Sequence, residues 1–278
     1  MALNKRIDFK FIIYADGCNP NGDPNTGNHP REDYEGFGEI SDVCLKHKMR
    51  TYLHETGEDV LVLPTEETGK SILMSVKEFE FDKKLQKNKQ KQDEFVKAVC
   101  EKWIDVRSFG MVFALKGGGT SSAVATGIRG AVSLSYATSI DNVVVTTETI
   151  TKSVNFETEG KRESSTMGFR YMVNNAVYVC SGSIYPNVAE KTGFSDEDAE
   201  KIKQSIIHLF DFDVSSARPA GSMTLMELHW WTHPNKNGMY PPAKVHRSIE
   251  VEPTSTFPHY KSTEAYELEG LDHFIYKY

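Results

Sequence analysis

The chain has 278 residues, of which 39% are hydrophobic and 26% charged, with 20 Gly and 11 Pro. That length and balance suit one large domain with a sizeable core, and they exclude a disulfide-stapled miniprotein, a fibrous repeat and a disordered chain. Lys and Arg number 32 against 39 Asp and Glu, a net charge of -7, so the plainest nucleic-acid signature, a basic domain, is excluded as well.

Residues 6–14 alternate and are rich in β-formers, which predicts a first strand. The apolar run at 9–15 is broken by Lys10 and stops at Asp16, too short and too charged for a signal peptide, and no stretch is long enough to span a membrane. The expected location is therefore the cytoplasm, without a membrane partner. Residues 16–38, DGCNPNGDPNTGNHPREDYEGFG, predict a long loop, and loops of that length inside compact domains are usually functional or disordered. Ser41 and Asp42 then cap a helix that Val43, Leu45, Met49, Tyr52 and Leu53 carry to Glu55; Lys46 and Arg50, four apart, project from one face of it.

A short strand at 60–63 and helices at 65–81 and 84–103 come next, the last with Lys84, Lys87, Lys89 and Lys91 as a solvated face. Strands are predicted at 106–115 and about 128–136. Residues 142–154 are strongly β-branched, NFETEGKRESSTM at 155–167 is polar and turn-like, and 169–181 returns as a strand, giving a long hairpin with a charged tip. A helix at 194–210 is capped by Ser195, with Asp196, Glu197 and Asp198 in the positions its dipole favours. A strand at 223–231, the turn HPNKNG and Pro-rich ends complete the chain. This order fits an α+β sandwich of the ferredoxin-like type, with the long loop and the helices of 65–101 inserted between core elements.

Charge is segregated along the chain. Residues 106–140 hold no Asp or Glu in a chain that has 39, but they hold Arg107, Lys116, Gly117, Gly118, Gly119 and Arg129 among many Ser and Thr. Residues 214–249 hold one acid, Glu227, against Arg218, Lys236, Lys244 and Arg247. Such separation lets an acidic protein present one electropositive face to a polyanion.

The signatures of catalysis are incomplete. His229 and His233 in HWWTH have the spacing of a zinc-protease pair, but Trp230 stands where the general base is required, and a strand sets the two too far apart for one metal. KGGGTSS lacks the lysine of a phosphate-binding P-loop, and no nucleophile elbow is present. Asp16 and Asp23 flank the first loop as a weak candidate pair for a divalent cation, with Asx-turn chemistry as the simpler account. Cys18, Cys44, Cys100 and Cys180 are scattered without a CxxC pair and read as reduced structural thiols. No cofactor, metal or catalytic residue is assigned. Passive binding of a single-stranded polyanion fits better: Lys46 and Arg50 from the first helix, Arg107, Lys116, Gly117 to Gly119 and Arg129 along a groove beside the sheet, and Lys161, Arg162, Met167 and Phe169 near the hairpin tip. A hairpin that projects this far needs its apolar side chains covered, which a neighbouring copy would do.

Five blocks in order, NPNGDP at 19–24, GNHPR at 27–31, SDVCLKHKMR at 41–50, DVRSFG at 105–110 and TGIRGAVSLSYATSID at 126–141, resemble the backbone subunit of Cascade. That is the Cas-seven (Csd/DevR-like) member of the RAMP superfamily, here in its subtype I-C form of type I CRISPR systems. The resemblance implies a single RAMP-type domain over 1–278: a modified RRM or ferredoxin-like palm, a loop and helical finger-like insertion over about 15–104, and a thumb β-hairpin over about 149–172. It implies several copies lined along a CRISPR RNA, each thumb displacing one base, the rest open to pair with target DNA, and other Cascade subunits as partners in a ribonucleoprotein of antiviral defence. Asn21 and Arg31 join the RNA-binding set through the first two blocks, and Met167 is assigned the wedge. Arg129 stands where the family usually has an apolar residue or Pro, and His47 where a basic residue is commoner. Two other readings stay open: a metal-dependent ribonuclease of the type III kind centred on Asp23, and a self-assembling scaffold without nucleic acid.

Overall fold

In the computed structural model, residues 1–77, 89–115, 124–151 and 167–278 are described. With elements numbered in chain order, the main sheet is centred on β1 (Ile7–Ala15), which pairs antiparallel with β11 (Ala176–Ile184) on one side and β12 (Met223–Thr232) on the other. Outward from these lie β15 (Asp272–Lys277) beyond β12, and β8 (Ala137–Asn142) then β4 (Phe37–Ile40) beyond β11, with β7 (Val132–Leu134) also on β11. Two helices return the chain between strands: α1 (Asp42–Glu55) after β1 and α7 (Asp196–Ile207) after β11. The order β12-β1-β11-β8, with those two crossovers, is the split βαβ arrangement of a ferredoxin-like core.

Period-2 alternation decides what each strand buries. Ile7, Phe9, Phe11, Ile13 and Ala15 join Leu45, Met49 and Leu53 of α1 and Ile202 and Ile206 of α7 in one cluster. Ile12 points the other way, into a second cluster with Val177, Met226 and Tyr260. Ser41 caps α1, its hydroxyl accepting from Cys44 N–H. Ser195 and Asp198 form a reciprocal capping box on α7.

Between β4 and β8 the chain builds a smaller unit: α2 (Thr65–Thr68), α3 (Ile72–Lys77), α4 (Lys89–Lys102), α5 (Ile104–Phe109), β5 (Gly110–Leu115) and β6 (Val124–Arg129). Its own core gathers Leu61, Val76, Phe95, Val99, Trp103, Val106, Phe113 and Ile128. The hairpin strands β9 (Val145–Thr151) and β10 (Met167–Val173) pair apart from the main sheet, in a register that sets Phe169 opposite Thr149. After β11 come α6 (Pro186–Thr192) and, beyond β12, α8 (Pro242–His246), β13 (Ile249–Pro253) and β14 (Tyr260–Glu264).

Several boundaries differ from the sequence expectation, each for a local reason. Residues 60–63 form no strand: the N–H groups of Leu61 and Val62 donate to the Asp105 carboxylate at 2.9 and 3.0 Å instead of to a neighbouring strand. The strand expected from 106 starts at Gly110, because 104–109 is helical. A Cβ on Gly110 would meet the Ile128 carbonyl at 2.4 Å, and one on Gly130 would meet the Ser108 carbonyl at 2.3 Å, so two glycines pass the chain through a crossing closed to other residues. Gly130 also divides β6 from β7, which lie in different sheets. The single strand expected at 169–181 is two, broken at Asn175 with φ of +52°. The helix α6 and the elements after Thr232 went unanticipated behind their proline content.

Candidate nucleic-acid interface

The helices cover one face of the main sheet, and the C-terminal elements cover part of the other. On it Lys10 Nζ donates to the carbonyls of His246 at 3.0 Å and Ile249 at 2.5 Å, drawing α8 and β13 onto the strand. Burial lowers the Lys10 pKa, and the nearby Glu250 charge opposes that shift. Glu227 is buried on β12 and accepts from Tyr260 at 3.1 Å, Ser262 at 2.8 Å and Lys277 at 3.2 Å, which binds β14 and β15 to it. Burial works to raise its pKa, but hydrogen bonds from His229 and Ser262 and the charge of Lys277 prevail and bring it down to about 2. These elements leave an open cleft of about 680 Å³ over the strands, lined by Lys10, Thr138, Ile140, Val179, Arg247 and Glu252.

Also on this face, fully buried Asp8 accepts from Ser183 Oγ and from His233 Nε2 at 2.7 Å, with Arg6 at 2.9 Å. Met239 N–H donates to His233 Nδ1, so Nε2 carries the proton. The order is hydroxyl, carboxylate, imidazole. Ser183 faces an acid rather than a base, so the trio ties β1, β11 and the 233–240 segment together instead of activating a nucleophile. His229 likewise contacts Glu227 at 3.1 Å and His273 at 3.2 Å. All four cysteines are free.

The four cations expected to share a trench are placed apart in their chemistry. Lys46 pairs with Asp42 at 2.7 Å. Arg50 is 8% exposed, its Nε donates to Asp105 at 3.0 Å and its guanidinium lies 5.0 Å from the Phe109 ring. Arg107 grips Asp198 with two hydrogen bonds, at 3.0 and 2.7 Å, and reaches the Cys100 carbonyl at 3.2 Å. Arg129, at the end of β6, is exposed and makes no ion pair among the described residues. The spacing of Lys46 and Arg50 does put both on one helical face, but α1 is enclosed: Leu45, Lys48, Met49, Arg50 and Leu53 are all buried, with Lys48 turned inward to Asp213. The geometry corrects the expectation for Arg50 and Arg107, whose guanidiniums are committed to carboxylates inside the fold.

Asn21 is a latch. Its Oδ1 accepts from both the N–H and the hydroxyl of Ser41, at 2.9 Å each, and so ties the first loop to the start of α1. Arg31 is a third exposed, stands 3.6 Å from Asp23 and keeps a buried Nε without a partner among the described residues. Asp23 caps a short 3-10 turn at 24–26, and Asp16 accepts from Asn175 N–H at 3.1 Å, so each is engaged in separate turn chemistry. Lys116, Gly117, Gly118, Gly119, Lys161 and Arg162 lie outside the described residues, as does the side chain of Met167.

The hairpin base is open. Phe169 is 63% exposed. The register places Phe169 and Tyr171 on one face with Thr149 and Thr147, a face without charge. The short strands β2 (Gly22–Asp23) and β3 (His29–Pro30) bring the first loop against it, where the His29 ring sits 5.0 Å from Tyr171. On the opposite face Arg170, across from Glu148, has a buried Nε with no partner among the described residues. His29, Arg170 and Tyr171 went unselected by sequence reading. Their signal was faint: each sits beside a residue that was chosen.

A split βαβ sheet with a helical insertion and an appended hairpin defines the molecule as an α+β protein. A family model described as CRISPR-associated protein Cas7 matches residues 5–270, and the chain belongs to that family. A relative from Haloferax volcanii, named CRISPR-associated protein Cas7, is 42% identical over 67 residues, which is 24% of this chain and 20% of that protein. Among solved structures, a chain of a "CRISPR RNA-guided surveillance complex, pre-nicking" is similar at a TM-score of 0.48 and 13% identity, covering 81% of this chain and 78% of that one. A chain of a "CRISPR RNA-guided surveillance complex" is similar at 0.41 and 15%, covering 81% and 68%.

Proposed function

We propose that this chain is a CRISPR RNA-binding backbone subunit of a type I-C interference complex, polymerising along the guide and holding it for base pairing with target DNA. The match of the family model over residues 5–270 carries this reading. The main sheet is the palm, the segment of about 15–104 the finger-like insertion and about 149–172 the thumb. Its partners are CRISPR RNA, target DNA through the guide, further copies of itself and other Cascade subunits, in the cytoplasm. The RNA runs along the hairpin side, where Arg129, Arg31 and Arg170 supply cations and Phe169 an apolar surface, with Lys116, Gly117 to Gly119, Lys161, Arg162 and Met167 completing the set. In this reading the chain binds RNA without cutting it, and Asp23 serves to cap its turn and pair with Arg31.

Purification from cells that express a CRISPR array tests this directly. Excess absorbance near 260 nm and co-purified RNA about one spacer long are expected. Protein that assembles unchanged after nuclease treatment and carries no RNA would overturn the reading in favour of a bare scaffold. Incubation with guide and labelled complementary RNA, with and without magnesium, is expected to leave that RNA whole.

A further inference from the structure

The turn joining β13 to β14 carries an aromatic cluster that lies outside the residues assigned above. Phe257 is 64% exposed. Its ring stands at 88° to that of Tyr14 on β1, centroids 5.5 Å apart, while His259 lies parallel to Tyr14, at 5° and 6.0 Å. Thr254 N–H donates to the His259 carbonyl at 3.0 Å and His259 N–H to the Thr256 carbonyl at 2.7 Å, so the rings sit on a closed, hydrogen-bonded loop. Tyr14 Oη donates to Asn175 Oδ1 at 2.6 Å, in the turn between β10 and β11. The cluster is thereby fixed to the root of the β9–β10 hairpin.

Composition points the same way independently. Residues 253–263, PTSTFPHYKST, contain no acid, although Glu250, Glu252, Glu264, Glu267, Glu269 and Asp272 surround them in sequence. Ser255, Thr256 and Lys261 are exposed there, and Lys261 makes no ion pair among the described residues. Asp16 is the carboxylate that faces Tyr14. Lys261 stands across the β13–β14 ladder from Glu252, and the exposed Phe257 ring has Tyr14 and His259 as its ring neighbours, a small aromatic cluster and not the broad apolar patch that a protein partner covers. It has the make-up of a stacking surface for a base with a cation for the backbone, since every base has a π-face and each nucleotide a phosphate.

We propose that Phe257 stacks one unpaired nucleobase and that Lys261 takes a phosphate beside it. This rests on the reading of the chain as an RNA-binding subunit and adds a contact apart from the hairpin tip and the glycine loop. The base comes from the guide or from the target strand, and two arms separate them. In the first, anisotropy of a fluorescein-labelled single-stranded RNA reports binding to the full chain over a salt series. In the second, the label sits on a complementary DNA strand added to the preformed protein–RNA complex.

Phe257→Ala is expected to weaken binding about tenfold with the salt slope unchanged, Phe257→Leu to weaken it similarly, and Phe257→Tyr to keep the parent affinity. Lys261→Ala is expected to reduce the slope by about 0.7. A loss in the first arm assigns the base to the guide; a loss confined to the second assigns it to the target. Thermal unfolding of each variant checks that the fold is intact. If Phe257→Ala binds like the parent in both arms, the stacking role is overturned, while salt-dependent binding by the parent leaves the RNA-binding reading standing. A parent that binds no RNA removes both.

Discussion

Arg50 and Lys46 show how a charge is spent once a chain folds. Asp105 is fully buried and accepts from Arg50, Leu61 N–H and Val62 N–H. Arg50→Ala removes the cation and strands the carboxylate, which is expected to cost about 3–5 kcal/mol in urea unfolding. Lys46→Ala loses one i,i+4 pair, about 0.5 kcal/mol on the same measurement. Arg129→Ala is expected to stay within about 0.5 kcal/mol of the parent and, on the RNA-binding reading proposed above, to lower the salt slope by about 0.7, because Arg129 is exposed and makes no ion pair among the described residues. The i,i+4 relation of Lys46 and Arg50 was legible in the sequence. Which side of α1 remained open was not, since enclosure of a helix depends on elements far along the chain.

At the scale of elements, the caps were legible and the partners were not. Ser195 with its three following acids announced the start of α7, and the capping box is there. Ser195→Ala is expected to cost about 1 kcal/mol by denaturant unfolding. Asp198→Ala is expected to cost more, since the same carboxylate also receives Arg107. The edge strand β15 carries a pH dependence. Burial, then the adjacent His229, lowers the His273 pKa to about 4, with Asp272 opposing. The unfolded chain binds that proton near the ordinary value of 6.5, so stability is complete above 6.5 and lost as pH falls towards 4. Glu227, depressed to about 2, adds a second loss as pH falls below its ordinary 4.5. His273→Asn is expected to reduce the change in urea midpoint between about pH 6.5 and 4, with the remainder coming from His47 and His246, whose pKa values burial also lowers, while the more acidic change stays in place.

For the whole molecule, a chain of net charge -7 is expected to bind RNA with a steep salt dependence, because the contacts fall on exposed local cations such as Arg129 and not on the average charge. Measured affinity that is flat from low to high salt would contradict this. The acid-free run at 106–140 suggested an electropositive face, and Arg129 within it is exposed, yet Arg107 from the same run is neutralised by Asp198 of α7. Absence of acid along the chain is not absence of acid in space. By itself the sequence determined the α+β class, β1, the capped helices α1 and α7 and the family blocks, because alternation, helix caps and short motifs act over a few neighbouring residues. Tertiary structure alone decided that the C-terminal elements cover part of the sheet's second face, that Arg50 and Arg107 are held by carboxylates, and that Phe257 meets Tyr14 beside the hairpin root. Those outcomes join residues as far apart as Arg50 and Asp105, or Tyr14 and Phe257, and strand pairing and core burial bring them together across distances that no local pattern encodes.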